Sequence, residues 1–253
     1  MAIPQGAYFG GARLLDLAGK NHGTLTNGPT WGGAVGRPGG RGAVVFDGSN
    51  DHVLVGNIAA FSIAELTCSA WVRTTSTVAR NGIVCKWDSG SGNDRQYLFE
   101  INAGGTLRAF VSTDGTFQAG NTVSGATALA ANTWYHVAFT TKASGSMIVY
   151  LNGVQDGINA SAPASIFSGT APFGIGFADY NVGTVGQPFL GNLDDVRFDS
   201  VQKSATDIMA LYNDSRQGYP TTLNRIRLPM VNSAGAAPAN TKRRDLMLLG
   251  VGC

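Results

Sequence analysis

The feature that most constrains the fold is the stretch at residues 133–153, which reads TWYHVAFTTKASGSMIVYLNG. It contains two runs dense in β-branched and aromatic residues, 134–141 and 147–151, separated by five small or polar residues. This pattern predicts a β-hairpin. Both alternating sets of side chains in each run are bulky, so each strand needs cover on both of its faces. We therefore expect the hairpin to lie in the middle of a sheet.

The rest of the chain up to residue 217 favours an all-β fold with one short helix. The 35 glycines of the full chain are about twice the usual share, and they separate short apolar runs as turn residues do. The helix is predicted at residues 204–214, where Ser204 is an N-cap and Asp207 stands at the N3 position. Ile208, Leu211 and Tyr212 form its apolar stripe, so we expect the helix to pack on the edge of the sandwich.

Composition excludes several classes of protein. Charged residues make up 13% of the chain and the net charge is +2. This charge is too small to indicate a surface that binds nucleic acid. The first residues lack the basic and apolar regions of an export signal, and no apolar run approaches the roughly 20 residues of a membrane helix. The spacing of the three cysteines fits neither a disulfide framework nor a metal knuckle. Cys68 and Cys85 are expected to be buried free thiols.

Seven motifs follow one another in a set order along the chain. They are the stretches at residues 16–25, 45–53, 69–72, 134–138, 150–153 and 189–197, followed by the predicted helix. Their order resembles that of the laminin-G-like, concanavalin-A-like jelly-roll family, over about residues 8–217. The resemblance implies a two-sheet antiparallel jelly-roll sandwich. It does not imply one function, because this architecture hosts sugar binders, protein-interaction modules and hydrolases.

The residues argue against catalysis. Retaining glycosidases need two carboxyl groups about 5 Å apart, and the only glutamates, Glu65 and Glu100, do not form a pair in sequence. The three histidines, His22, His52 and His136, are far apart, and no nucleophile-elbow pattern occurs. We therefore expect a protein that is not an enzyme.

A calcium site is one expectation. Asp194 is predicted to share a strand face with Val196 and Phe198, where a carboxylate must be hydrogen-bonded, paired or bound to a metal. The resemblance implies a structural calcium ion near the sandwich edge, with Asp47 and Asp194 at matching positions and Asp16 as a further ligand. The alternative is that Asp47 caps its own turn and that Asp194 binds backbone amides.

Two turn-rich stretches are candidate sugar-binding loops, because sugars stack on aromatic rings while their hydroxyl groups take hydrogen bonds. The alternative is ordinary turn chemistry, with the two aromatic residues covering the sheet edge. The candidate residues are Trp87, Asp88, Asn93, Asp94 and Arg95 in the first stretch and Asp179, Tyr180 and Asn181 in the second.

The composition of the sequence changes at residue 218. Residues 218–253 predict an extended C-terminal arm, with an apolar end and a stretch at 233–240 too poor in apolar residues to order itself. We expect the arm to bind a protein partner or another copy of the chain, although folding back along its own sandwich is the alternative. The candidate partner-binding residues are Arg225, Arg227, Lys242, Arg243, Arg244, Leu246, Met247, Leu248 and Leu249.

Two functions follow as hypotheses. The leading one is a non-catalytic structural module on the surface of a larger assembly, a capsid or tail protein of a tailed phage. Such modules usually work outside cells, yet no export signal is visible. A virion protein needs none, because it reaches the outside when the cell lyses. Its location would be the virion surface. The second is a lectin-like module that binds carbohydrate, located outside the cell. Possible partners are thus proteins or a glycan, with neither nucleic acid nor a membrane span.

Overall fold

A computed structural model describes residues 13–14, 21–32, 37–39, 42–90, 92–181 and 183–217. Strands make up most of the regular structure in these ranges, so the predicted all-β class is confirmed. The strands are β1 (Arg13–Leu14), β2 (Gly23–Thr26), β3 (Thr30–Gly32), β4 (Ala43–Asp47), β5 (His52–Gly56), β6 (Glu65–Thr74), β7 (Asn81–Asp88), β8 (Asp94–Ile101), β9 (Thr106–Val111), β10 (Thr122–Ala128), β11 (Tyr135–Lys142), β12 (Met147–Leu151), β13 (Val154–Asn159), β14 (Phe173–Ile175), β15 (Asp179–Asn181), β16 (Thr184–Gly186) and β17 (Leu190–Asp199). A 3-10 turn spans Ala59–Phe61, and helix α1 spans Ala205–Arg216.

These strands form two sheets. Within the described ranges, a ten-stranded sheet has the order β1-β2-β5-β14-β7-β8-β9-β10, with β15 and β16 added beside β7. A seven-stranded sheet has the order β13-β12-β11-β6-β17-β4-β3. The predicted hairpin is β11 and β12, and both strands have a neighbour on each side, as their two-sided bulk requires. The antiparallel jelly-roll sandwich predicted from the sequence is therefore confirmed.

The inner faces of the two sheets enclose the main core. Val72 and Phe139 of the seven-stranded sheet and Phe99 and Ile175 of the ten-stranded sheet belong to one buried cluster. The side chains of β6 alternate between the two faces of the sheet, and Leu66, Cys68, Ala70 and Val72 are all buried in this cluster. Cys68 and Cys85 are buried free thiols, and burial raises the pKa of both. We call the opposite face of each sheet its outer face.

A β-bulge in β17 changes the face of the sheet on which the following side chains lie. Leu193 lies opposite Val72 and Asp194 lies opposite Trp71, but the register then shifts before Arg197, and Asp195 has a φ of +49°. Leu193, Val196 and Phe198 consequently all belong to the core cluster, while Asp194 shares the outer face with Trp71. The prediction that Asp194 shares a face with Val196 and Phe198 was wrong, because one extra residue reverses the alternation.

Helix α1 covers the outer face of the seven-stranded sheet. The predicted capping box is present, since the Ser204 hydroxyl accepts from the Asp207 amide at 3.2 Å and the Asp207 carboxylate accepts from the Ser204 amide at 3.1 Å. Ile208 packs against Ala138 and Tyr150, which lie on central strands. The expected edge position was therefore wrong, because these outward-facing side chains need cover. No helix in the described ranges has the length and apolarity to cross a bilayer.

Candidate functional site

A pocket of about 210 Å³ opens on the outer face of the ten-stranded sheet, and we call it the Phe117 pocket. Its apolar surface combines aromatic and aliphatic side chains, and its polar surface combines two cations, a carboxylate, a hydroxyl and an amide. It is lined by Arg80, Trp87, Ser89, Arg95, Leu98, Phe110, Phe117, Ala178, Asp179 and Gln187.

The pocket brings together the two stretches that the sequence suggested separately. Tyr180 of β15 pairs in parallel with Asp88 of β7, which places the β15–β16 hairpin beside the β7–β8 turn. The Ser89 amide donates to Asp179 Oδ1 at 2.9 Å, and the Ser89 hydroxyl also donates to this carboxylate. Trp87, Arg95 and Asp179 consequently line a single pocket.

The open aromatic ring of the pocket is Phe117, which the sequence analysis did not select. Trp87 is 4% exposed and Phe110 is 6% exposed, whereas Phe117 is 56% exposed. The three rings form a cluster, with the Phe117 centroid 5.4 Å from that of Phe110 and 6.4 Å from that of Trp87. Trp87 is thus largely cover for the sheet, as the alternative reading expected. A single aromatic residue inside the turn-rich run STDGTFQAG was the available signal for Phe117.

The polar groups of the pocket differ in their partners. The Arg95 guanidinium lies 5.9 Å from the centroid of the Trp87 ring. The Arg80 guanidinium instead contacts the buried Glu100, with Nη2 2.6 Å from Oε2. Burial raises the pKa of Asp179, although its hydrogen bonds from Ser89 act in the opposite direction. The pocket therefore offers fixed donors and a partly buried acceptor beside an open ring.

The other candidates in these two stretches hold local structure. The Asp88 carboxylate is buried and accepts from the Gly90 amide at 2.8 Å. The Asp94 carboxylate accepts from the Thr170 amide at 2.9 Å and from its hydroxyl at 2.6 Å. Asn93 has a φ of +62° in the β7–β8 turn, and Asn181 is exposed on β15. Tyr180 is half-buried against Phe177. None of these five lines the pocket, and ligand binding by them stays a prediction.

The candidate metal ligands lie apart. Asp47 accepts from the Ser49 amide at 2.8 Å and from the Asn50 amide at 3.3 Å, and these bonds lower its pKa. Asp47 lies opposite Leu190, and Asp194 is four residues farther along β17, about 13 Å away at roughly 3.3 Å per residue. The two carboxylates therefore cannot bind one calcium ion together. Asp16 lies outside the described residues, and a calcium ion at any single position stays a prediction.

Asp194 instead belongs to a buried charged cluster on the outer face of the seven-stranded sheet. Its Oδ2 lies 2.8 Å from Arg37 Nε, and its Oδ1 accepts from the Asp195 amide at 2.7 Å. Burial raises the pKa of Asp194 to about 6, against the opposing effect of Arg37. Within the part of the chain that the structure describes, no three His, Cys, Asp or Glu side chains converge as a metal-binding group.

The two glutamates lie on different sheets. Glu65 is on β6 of the seven-stranded sheet, and Glu100 is buried on β8 of the ten-stranded sheet. They therefore do not form the paired carboxylates of a retaining glycosidase. The predicted partner-binding residues, from Arg225 to Leu249, lie outside the described residues, and so does the arm that carries them.

Comparisons with known proteins agree with the fold. A family model described as the concanavalin A-like lectin/glucanases superfamily matches residues 47–209. None of the curated proteins matches the chain. Among solved structures, the chain resembles the CBM40 domain of a Ruminococcus gnavus sialidase bound to α2,3-sialyllactose, with a TM-score of 0.55 and 16% identity over 66% of this chain and 95% of that one.

Two further structures are similar. Domain 4 of AbnA, an extracellular arabinanase of Geobacillus stearothermophilus in complex with arabinotriose, gives a TM-score of 0.52 and 19% identity over 75% of this chain and 87% of that one. The binding domain of Paraclostridial Mosquitocidal Protein 1 gives 0.59 and 14% over 84% of this chain. The chain spans about half, 51%, of that toxin domain. At these identities the likeness concerns the fold alone.

Proposed function

This chain belongs to the concanavalin A-like lectin/glucanases superfamily, and we propose that it is a non-catalytic carbohydrate-binding module whose ligand occupies the Phe117 pocket. The observation that carries the proposal is an exposed aromatic ring beside convergent polar groups. Phe117 offers an open face to the apolar side of a sugar ring. Arg95, Asp179 and Gln187 offer donors and acceptors to its hydroxyl groups.

The size of the pocket suggests which part of a glycan it takes. Its volume of about 210 Å³ is below the range of about 300–1,000 Å³ for pockets that enclose drug-sized ligands. The pocket therefore fits one sugar unit, such as the end of a glycan chain. The CBM40 domain and the arabinanase domain were each solved with a sugar bound, which supports the proposal as precedent on a similar fold.

A glycan array followed by titration tests the proposal. We expect binding to specific glycans, and we expect Phe117→Ala to weaken it at least about tenfold, because burying an aromatic side chain contributes about 1.5–3 kcal/mol. Ile158→Ala is the matched control, since Ile158 is 51% exposed on β13 of the other sheet and Phe117 is 56% exposed. A protein that binds no glycan, or a Phe117→Ala variant that binds as wild type does, would refute the proposal.

A structural role on the surface of a tailed-phage particle is the second proposal. It is supported by the basic and apolar composition of residues 218–253, which suits docking to a protein partner. Copurification in fixed stoichiometry with an intact particle tests it. Glycan binding would be compatible with that location, whereas a protein that acts alone outside the cell would bind glycans without any particle.

A further inference from the structure

We propose that the Phe117 pocket selects a sugar unit that carries a carboxylate, and that Arg95 is the residue that binds this carboxylate. The inference rests on the proposed function and specifies its ligand class. It is carried by the different surroundings of the two guanidinium groups that line the pocket, Arg80 and Arg95.

Arg80 is already engaged by a carboxylate of the protein. Its Nε lies 2.8 Å and 3.1 Å from the two oxygens of Glu100, and its Nη2 lies 2.6 Å from Oε2. Glu100 is fully buried and also accepts from Arg108 Nε at 2.8 Å. The fork of Arg80 is thus occupied, so it serves as part of the wall rather than as a free anion-binding group.

Arg95 forms no such close ion pair, although it interacts electrostatically with Asp179, which also lines the pocket. No carboxylate in the described part of the chain lies within 4.0 Å of its guanidinium, which contacts the Asn93 side-chain oxygen at 3.4 Å and the Trp87 ring at 5.9 Å. A guanidinium carries five N–H donors in a planar fork that matches a carboxylate. Most of those donors are available to a ligand in the pocket.

The backbone holds Arg95 in place for this role. The Arg95 amide donates to the Gly115 carbonyl at 3.1 Å, which ties the start of β8 to the loop that carries Phe117. The indole of Trp87 supports the side chain from one side. Arg95 and Phe117 are therefore positioned relative to each other before a ligand arrives, which lowers the entropic cost of binding.

The charges of the lining residues favour one negative group on the ligand. Arg80 and Arg108 share the one carboxylate of Glu100, so this group keeps a net positive charge beside the pocket. Arg95 and Asp179 both line the pocket, and the nearby Asp88 is buried outside the lining. Ionised Asp179 accepts hydrogen bonds and donates none, so it suits a sugar hydroxyl and repels a second anion. The expected ligand is a sugar with a single carboxylate and neighbouring hydroxyl groups, rather than a polyanion.

The test compares acidic glycans with their carboxyl-reduced counterparts, in which the acid has become a primary alcohol. Uronic acid and sialic acid glycosides are the probes, and titration calorimetry is the readout. Wild type should bind the acids about tenfold to hundredfold more tightly than the reduced forms, the range expected for hydrogen bonds to a charged group. Arg95→Gln should weaken the binding of the acids much more than that of the reduced forms, so that the preference disappears.

Two variants keep the result interpretable. Arg95→Lys retains the charge without the planar fork, so it should lose part of the preference, and it serves if Arg95→Gln does not fold. Arg216→Gln removes an exposed arginine on α1, over the other sheet, and should retain the full preference. Equal binding of acids and reduced forms by wild type would overturn this inference and leave the proposed function standing. Binding of neither class, with other glycans bound on the array, would likewise overturn only this inference, whereas a protein that binds no glycan at all would overturn both.

Discussion

At the scale of single residues, the polar side chains of the family-like motifs serve mainly to hold the molecule together. Trp71 lies on the outer face of the seven-stranded sheet, beneath α1. Its Nε1 donates to the Ser215 hydroxyl at 2.9 Å, and Arg37 lies 5.0 Å from its ring centroid. His136 packs edge-on against the same ring. Hence these motifs identify a fold without identifying a ligand site.

His136 should make the stability of the protein depend on pH. Burial lowers its pKa from 6.5 to about 3, with Arg197 and Arg37 acting in the same direction. Between these pH values the unfolded chain binds a proton that the folded chain does not, so acidification reduces the free energy of unfolding. His136→Gln removes this loss. The free energy of unfolding of His136→Gln minus that of wild type should therefore increase as pH falls from 6.5 to 3. The increase should be up to about 1.4 kcal/mol per pH unit.

Asp194 acts in the opposite direction on wild-type stability. Its pKa is raised from 3.8 to about 6, so the folded chain binds the extra proton between these values and acidification stabilises it there. From about pH 4 to 6, acidification lowers the free energy of unfolding through His136 and raises it through Asp194. Urea titrations of wild type and His136→Gln across this range measure the difference. Val137→Ala, a neighbouring core change without a titrating group, should differ from wild type equally at every pH. A pH-independent difference for His136→Gln would contradict the prediction.

At the scale of elements, the sequence predicted what local pattern determines. The hairpin of β11 and β12 and the capped helix α1 follow from periodicity and capping residues, and both are confirmed. The bulge of β17 was missed because the prediction continued the alternation of Val196 and Phe198 back to Asp194, although Leu193 and Val196 are three residues apart, not two or four. The pairing of β15 with β7 was missed as well, since it joins Tyr180 to a residue 92 positions earlier. That pairing brings three of the ten lining residues, Ala178, Asp179 and Gln187, to the pocket. Patterns in a single sequence could therefore indicate candidate residues but not that they lie together.

Lys86 anchors a long connection to β7 and supplies a prediction at this scale. It is fully buried, and its ammonium donates to Ala171 O at 2.7 Å, Gly169 O at 2.8 Å and Asn57 Oδ1 at 3.1 Å. Burial lowers the pKa of Lys86. Lys86→Met should reduce the free energy of unfolding by at least about 2 kcal/mol, because each buried acceptor left without a partner costs about 1–3 kcal/mol. Chemical denaturation measures the loss.

The same variant should loosen one segment in particular. Residues 169–171 are also held by Asp94 through Thr170, so hydrogen exchange at these amides should rise in Lys86→Met while the amides of β11 stay protected. Lys203→Met is the control, since Lys203 forms a surface ion pair with Asp199 at 3.4 Å and should contribute less than about 1 kcal/mol. Equal stability of Lys86→Met and wild type would show that the ammonium contributes nothing net.

At the scale of the whole molecule, the two outer faces of the sandwich are used differently. The outer face of the ten-stranded sheet is open at the Phe117 pocket, whereas the outer face of the seven-stranded sheet is covered by α1. The described chain ends just after this helix, at residue 217. The Phe117 pocket therefore lies on the face of the sandwich that α1 leaves uncovered.

Deleting residues 219–253 tests the predicted arm. Helix α1 ends at Arg216, and its Ser215 hydroxyl accepts a hydrogen bond from Trp71. The truncated chain should therefore have the melting temperature of the full chain and bind glycans with unchanged affinity. It should lose its assembly with copies or partner proteins, measured by sedimentation and copurification. Truncated protein that still assembled at normal occupancy would show that the arm is dispensable. A lowered melting temperature with assembly intact would instead favour the alternative in which the arm packs along its own sandwich, because only then does the fold lose contacts when the arm is removed.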